Sequence, residues 1–169
     1  MKKGYDVNGA LTAIQGTLYN IEYEHDIGET VELVFPEGSI LTGEGSKPTL
    51  YNGVLGFLAI GDTKRIESSM RNKQRWGYHD GVFLVVVAGE NDTAKKKAND
   101  IGRLVEIAID ENPTMETTGL MVTIPEENPF IRRKITFDKE SKTPEWNSAV
   151  IINMEVRIAR LREEIFDGD

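Results

Sequence analysis

Two histidines are the first places to look for chemistry in this chain. His25 and His79 each precede an aspartate, giving His25-Asp26 and His79-Asp80. Imidazole beside carboxylate supplies the donor types of a metal site or of an acid–base pair. Glu22, Glu24, His25 and Asp26 make the densest group of candidate ligands. A tetrahedral site, however, needs a defined ligand set and partners that orient it. Spacing marks no third ligand, so the plainer reading is an acidic loop after a helix, with no metal and no other cofactor. The chain has no cysteine. That excludes a thiol nucleophile, a thiolate zinc site, an iron–sulfur cluster and a disulfide scaffold. It contains no GxSxG turn, no Walker A sequence and no GxGxxG opening a helix. Gly43-Glu44-Gly45-Ser46-Lys47 lacks both the spacing and the following helix of a phosphate loop. Among 28 acidic residues, adjacent carboxylates arise by chance and mark no acid–base pair. No catalytic residue is nominated, and the expectation is that the chain is not an enzyme.

The basic residues carry more information. Arg65, Arg71, Lys73 and Arg75 lead up to Trp76, and Arg132, Arg133 and Lys134 form a second group. They stand out because 20 basic against 28 acidic residues leave a net charge of −8. Basic groups beside an aromatic suit stacked nucleic acid, but the acidic total opposes a protein that coats it. Arg and Trp are equally the residues enriched in protein interfaces. The bland reading is solvated strand edges, where charge blocks unwanted pairing.

The elements that would position these groups follow from hydrophobic spacing. Val7, Leu11, Ile14, Leu18 and Ile21 draw one apolar stripe down a helix with Asp6 as N-cap. Residues 30–35 read as a strand that stops at Pro36, and the glycine-rich stretch 36–49 reads as a loop. Residues 55–60 form a short apolar strand. Tyr78-His79-Asp80-Gly81 reads as a turn, making a hairpin of 66–76 with 82–88, the latter buried on both faces. Asn91-Asp92-Thr93 opens a second helix with Ala94, Ala98, Ile101, Val105 and Ala108 on one face, ending before Pro113. Lys95, Lys96 and Lys97 sit on its first turns, where cations oppose the macrodipole. Residues 120–124 and 130–137 are strand-like. In 150–158 the residues Val150, Ile152, Met154, Val156 and Ile158 alternate with polar ones, the mark of a strand with one buried face. It pairs with 130–138 in a long C-terminal β-hairpin. The whole is a single α+β domain over 1–169: one antiparallel or mixed β-sheet covered by two helices, with loop 36–49 and tail 163–169 flexible. The longest apolar run, 82–88, is too short to cross a bilayer, and the N-terminus does not read as a secretory signal, so a soluble protein without membrane contact is expected.

This layout resembles that of bacteriophage tail terminator proteins. The resemblance rests on a first helix at 7–21, a central helix at 92–112 and a closing strand pair at 130–138 and 150–161. Within these, residues 98–108 running on to Pro113 are similar to the central helix and its trailing turn, and Ile152-Asn153-Met154-Glu155-Val156-Arg157 is similar to the last strand. It covers most of the chain through element order, not through a signature residue, and leaves the loop 36–49 and the acidic tail unmatched. What it implies is a structural virion protein, assembled in the host cytoplasm. Such a protein forms a ring, usually hexameric, which caps the head-proximal end of the tail tube, stops polymerisation and docks to the head connector. Its partners would be itself, the tail tube protein and the connector protein, with DNA only passing through the channel. Under this reading the polar face of the last hairpin (Arg132, Lys134, Glu155, Arg157), together with Arg71, Arg75 and Trp76, is the candidate subunit interface. Alternatives are another head–tail joining or tail tube protein, a small metal-dependent hydrolase using His25 and His79, and a regulatory nucleic-acid binder using residues 65–75.

Overall fold

Asp6 starts the first helix, α1 (Val7–Leu18), by accepting a hydrogen bond from the Gly9 N–H at 2.8 Å. Ala10, Ile14 and Leu18 are buried one turn apart, with Val7 and Leu11 half-buried beside them. The helix ends three residues short of the last stripe residue. Asn20 Nδ2 donates to the Gly16 carbonyl there, and Ile21 enters the core from beyond the helix. The structure, a computed structural model, describes residues 6–25, 30–43, 53–68, 75–89, 91–125, 130–135 and 147–160.

Among the described residues, eight strands and one more helix follow: β1 (Glu22–His25), β2 (Thr30–Leu33), β3 (Ile40–Leu41), β4 (Val54–Ser68), β5 (Arg75–Ala88), α2 (Asp92–Glu111), β6 (Leu120–Thr123), β7 (Phe130–Ile135) and β8 (Asn147–Arg160). The main sheet has six strands in the order β3-β4-β5-β8-β6, with β7 also on β8. β3 runs parallel to β4 and every other pair is antiparallel, so the sheet is mixed. β5 and β8 pair along their whole length, from Arg75 opposite Arg160 to Ala88 opposite Asn147. The other edge of β8 is shared: β7 takes residues 147–152 and β6 takes 155–158. β1 and β2 form a separate two-stranded ribbon.

Both helices cover one face of this sheet, which gives the expected α+β class. Alternate residues of β5 and β8 supply the floor of the core: Phe83, Val85 and Val87 from one, Val150, Ile152, Met154, Val156 and Ile158 from the other. Asn91 caps α2 by accepting from the Ala94 N–H at 2.9 Å, and the helix stops before Pro113 as its sequence requires. No described helix is long and apolar enough to cross a membrane.

Three expectations fail. Tyr78-His79-Asp80-Gly81 is no turn; it lies inside β5. The predicted segment 66–76 does not pair as a unit with 82–88: Ile66 to Ser68 end β4, Arg75 and Trp76 open β5, and 69–74 lie outside the described residues. The predicted loop contains β3, since Ile40 and Leu41 pair with Gly56 and Phe57. The first two errors have one cause. Gly61-Asp62 and Asp80-Gly81 are both turn-type dipeptides, but they meet across the β4–β5 pair, where the register shifts between Ile60 and Arg65. A β-bulge tolerates the residue types that a turn demands. At Gly81 the close approach also matters, because a Cβ there would stand 2.7 Å from Met154 Cγ.

Candidate functional site

The sheet face away from the helices carries the other half of the alternation: Tyr78, Asp80, Val82, Leu84 and Val86 from β5, and Ala149, Ile151, Asn153, Glu155 and Arg157 from β8. One end is apolar. Leu55, Val86 and Ala149 are buried there, with Leu41, Phe57 and Leu84 packed around them. Next to this cluster, Leu41, Phe57, Ala59, Val82, Leu84 and Ile151 line an open groove of about 350 Å³.

The other end is a charged network. Lys64 Nζ lies 2.7 Å from Asp80 Oδ1 and 3.8 Å from Glu155 Oε2, and Glu155 Oε1 lies 3.4 Å from Arg157 Nε. Tyr78 is buried between two guanidinium groups, Arg65 at 4.0 Å and Arg157 at 5.0 Å from its ring centroid. Its hydroxyl donates to Glu67 at 2.7 Å, and Arg65 lies 3.7 Å from the same carboxylate. The cations complement the negative faces of the ring while the carboxylates hold their guanidinium planes. Six charges, three of each sign, thus present a neutral patch beside an apolar groove.

Of the residues nominated as an interface, Glu155 and Arg157 belong to this network. Trp76 is half-buried one row beyond, opposite Glu67 and Ala159, and Arg75 is exposed at the start of β5. Arg132 and Lys134 stand in register with Val150 and Ser148, further along β8 and on the set that alternates with Glu155 and Arg157. Arg71 and the tail 163–169 lie outside the described residues. Lys64, Glu67, Tyr78 and Asp80 escape the sequence reading because it ends the strand at Ile60 and takes 78–81 for a turn. The signal that finds them is a continuous strand through both dipeptides.

His79 is buried on the helix side. Its Nδ1 lies 2.8 Å from the Gly61 carbonyl and its Nε2 lies 3.4 Å from the Thr63 hydroxyl. A carbonyl only accepts, so Nδ1 donates, which leaves Nε2 of a neutral ring to accept from Thr63. The imidazole holds the bulged stretch of β4 against β5. We expect His79→Phe, which keeps the bulk and loses the polar atoms, to destabilise the fold by about 1–3 kcal/mol in a urea titration. An unchanged midpoint would mean that these hydrogen bonds carry no stability. Among the described residues no group of three or more His, Asp or Glu is placed to hold a metal ion. His25 lies in β1, away from the main sheet's strands in the pairing order.

No protein-family model matches the chain, and no characterised protein matches its sequence.

Proposed function

We propose that this chain is the ring-forming subunit of a phage tail terminator, capping the head-proximal end of a tail tube and presenting a docking surface to the head connector. The observation that carries the reading is the outer face of the sheet, where an apolar groove adjoins a fixed charge network. Apolar surface left on a sheet face is suited to burial against another protein. Fixed charges beside it set the register of such a contact more than they add affinity. The element order, with a helix, a sheet, a central helix and closing strands, is the order on which the resemblance rests. A head-to-tail contact that closes yields a ring and ends growth, whereas an open one propagates.

Mass measurement by light scattering, negative-stain images and a tube-length assay test this directly. The expected outcome is a ring in solution or on tube ends, with tubes of limited length when the protein is added. A strict monomer that leaves tube growth unchanged overturns it. Within the ring, Arg157→Glu is expected to weaken assembly at least about tenfold while the subunit stays folded, because Arg157 is a half-exposed member of the charge network. An unaffected ring would place the subunit contact elsewhere. The neighbouring reading, another head–tail joining or tube protein, would bind the same tubes without limiting their length.

A further inference from the structure

The outer face of α2 is polarised along its axis, and the sense is opposite to that which stabilises a lone helix. Lys95, Lys96 and Lys97 occupy the first turns, Asp100 and Arg103 the middle, and Glu106, Asp110 and Glu111 the last turns, with no basic residue in the final turn. Cations near a helix N-terminus and anions near its C-terminus both work against the macrodipole. Only Asp92, beside the cap, follows the favourable rule. Lys95, Lys96, Arg103, Asp110 and Glu111 are exposed, and among the described residues none of them forms an ion pair.

Helical spacing puts Lys96, Arg103, Ile107 and Asp110 on one outward stripe, opposite the buried row Ala94, Ala98, Ile101, Val105 and Ile109. Ile107 is half exposed at 50%, one of three large apolar side chains so placed among the described residues. The cationic first turns and the anionic last turns of this straight face are complementary to a second copy turned end for end.

We propose that α2 is a pairing surface for a second copy of this chain, with the two α2 helices antiparallel about a two-fold axis near Arg103. Lys95 and Lys96 of each copy then face Asp110 and Glu111 of the other. Lys96 and Asp110 are about 21 Å apart along the helix, so both ends engage together. Arg103 of each copy comes within reach of the second copy's Asp100 and Glu106, and each Ile107 lies over the second copy's helix near Asn99, about 12 Å along the axis from the other Ile107. Antiparallel pairing also sets the two helix dipoles head to tail, which relieves the charge placement that each helix suffers alone. The contact is isologous and closes at two copies, so it is distinct from the heterologous contact of a ring. It goes beyond the terminator reading and survives if that reading fails.

The test is sedimentation velocity on the full chain over a wide concentration range, at low and high salt. The wild type is expected to form dimers whose dissociation constant rises with salt. Lys95→Glu with Lys96→Glu, and separately Asp110→Lys with Glu111→Lys, should each weaken dimerisation at least about tenfold. Mixing the two variants should restore a heterodimer. Circular dichroism melts serve as the folding control, since all four positions are exposed. A wild type that stays monomeric at low salt overturns the proposal. So does self-association that the variants leave unchanged, which would assign the contact to another surface such as the outer sheet face.

Discussion

Phe83→Ala should cost the protein about 3–5 kcal/mol, close to the whole stability of a marginal domain. Phe83 is fully buried on the helix side of β5 and meets Phe35 edge-on, with ring centroids 5.4 Å apart. It also lies over Gly56 of the neighbouring strand, where a Cβ would stand 2.9 Å from Phe83 Cζ and 3.2 Å from Ile40 Cγ1. The glycine makes room for the ring, and the ring fills the space that the missing side chain leaves. Removing the ring therefore opens a cavity bounded by α1's partner strand β4, by Phe35 and by Ile40, all held by other contacts and unable to collapse fully. Urea denaturation followed by far-ultraviolet dichroism is expected to show a large fall in midpoint with an unchanged slope. The pair also makes a coupling test. Gly56→Ala alone should destabilise because the ring must shift, and the same change in a Phe83→Leu background should cost less. A cycle that adds without coupling would show that the glycine and the ring act independently.

The contrast between the two long strands and the two helices explains what the sequence reveals. Each helix carries its own stripe and cap within one segment, and α2 its stop as well: Asp6 and the row Ala10, Ile14, Leu18 for α1, Asn91 and Pro113 for α2. Such local signals survive folding because nothing distant has to be known to read them. β8 is equally legible, since Val150 to Ile158 alternate without interruption. β4 and β5 are not, because their bulge is a relation between strands. Gly61-Asp62 and Asp80-Gly81 look like two chain reversals when read singly, and their shared role exists only once the register sets Ile60 opposite Gly81 and Thr63 opposite His79. The charge network inherits the same difficulty. Lys64, Tyr78, Glu155 and Arg157 come from three strands, and only pairing brings them together. β3 was hidden for a different reason: two residues in a parallel pair have no period to display. β7 illustrates the limit of arguments made from one strand. Which side a residue takes depends on its register with β8, and that register is not written in 130–135 itself.

Gly102→Leu should destabilise the fold by about 2–3 kcal/mol, and the direction is decided by β8 rather than by the helix. Considered as a helix residue, Gly102 is unfavourable, and replacement by alanine in a free helix would gain about 1 kcal/mol. Here the glycine is buried against the sheet, and a Cβ would stand 2.9 Å from Val150 Cγ1. Val150 cannot yield easily. Its side chain is β-branched and stiff at χ1, it is fully buried, and its backbone is paired to Val85 on one side and to Arg132 on the other. The helix would have to lift from β8, opening contacts made by Ala98, Ile101 and Val105 along the same row. Gly102→Ala is accordingly expected to lose a little stability in place of the propensity gain. Combining it with Val150→Ala should turn that loss back toward a gain relative to Val150→Ala alone, because the obstructing methyl groups are gone while the helix propensity remains. Thermal melts of the four proteins measure this. If Gly102→Leu melts with the wild type, the spacing of α2 from the sheet is set by other residues of the buried row.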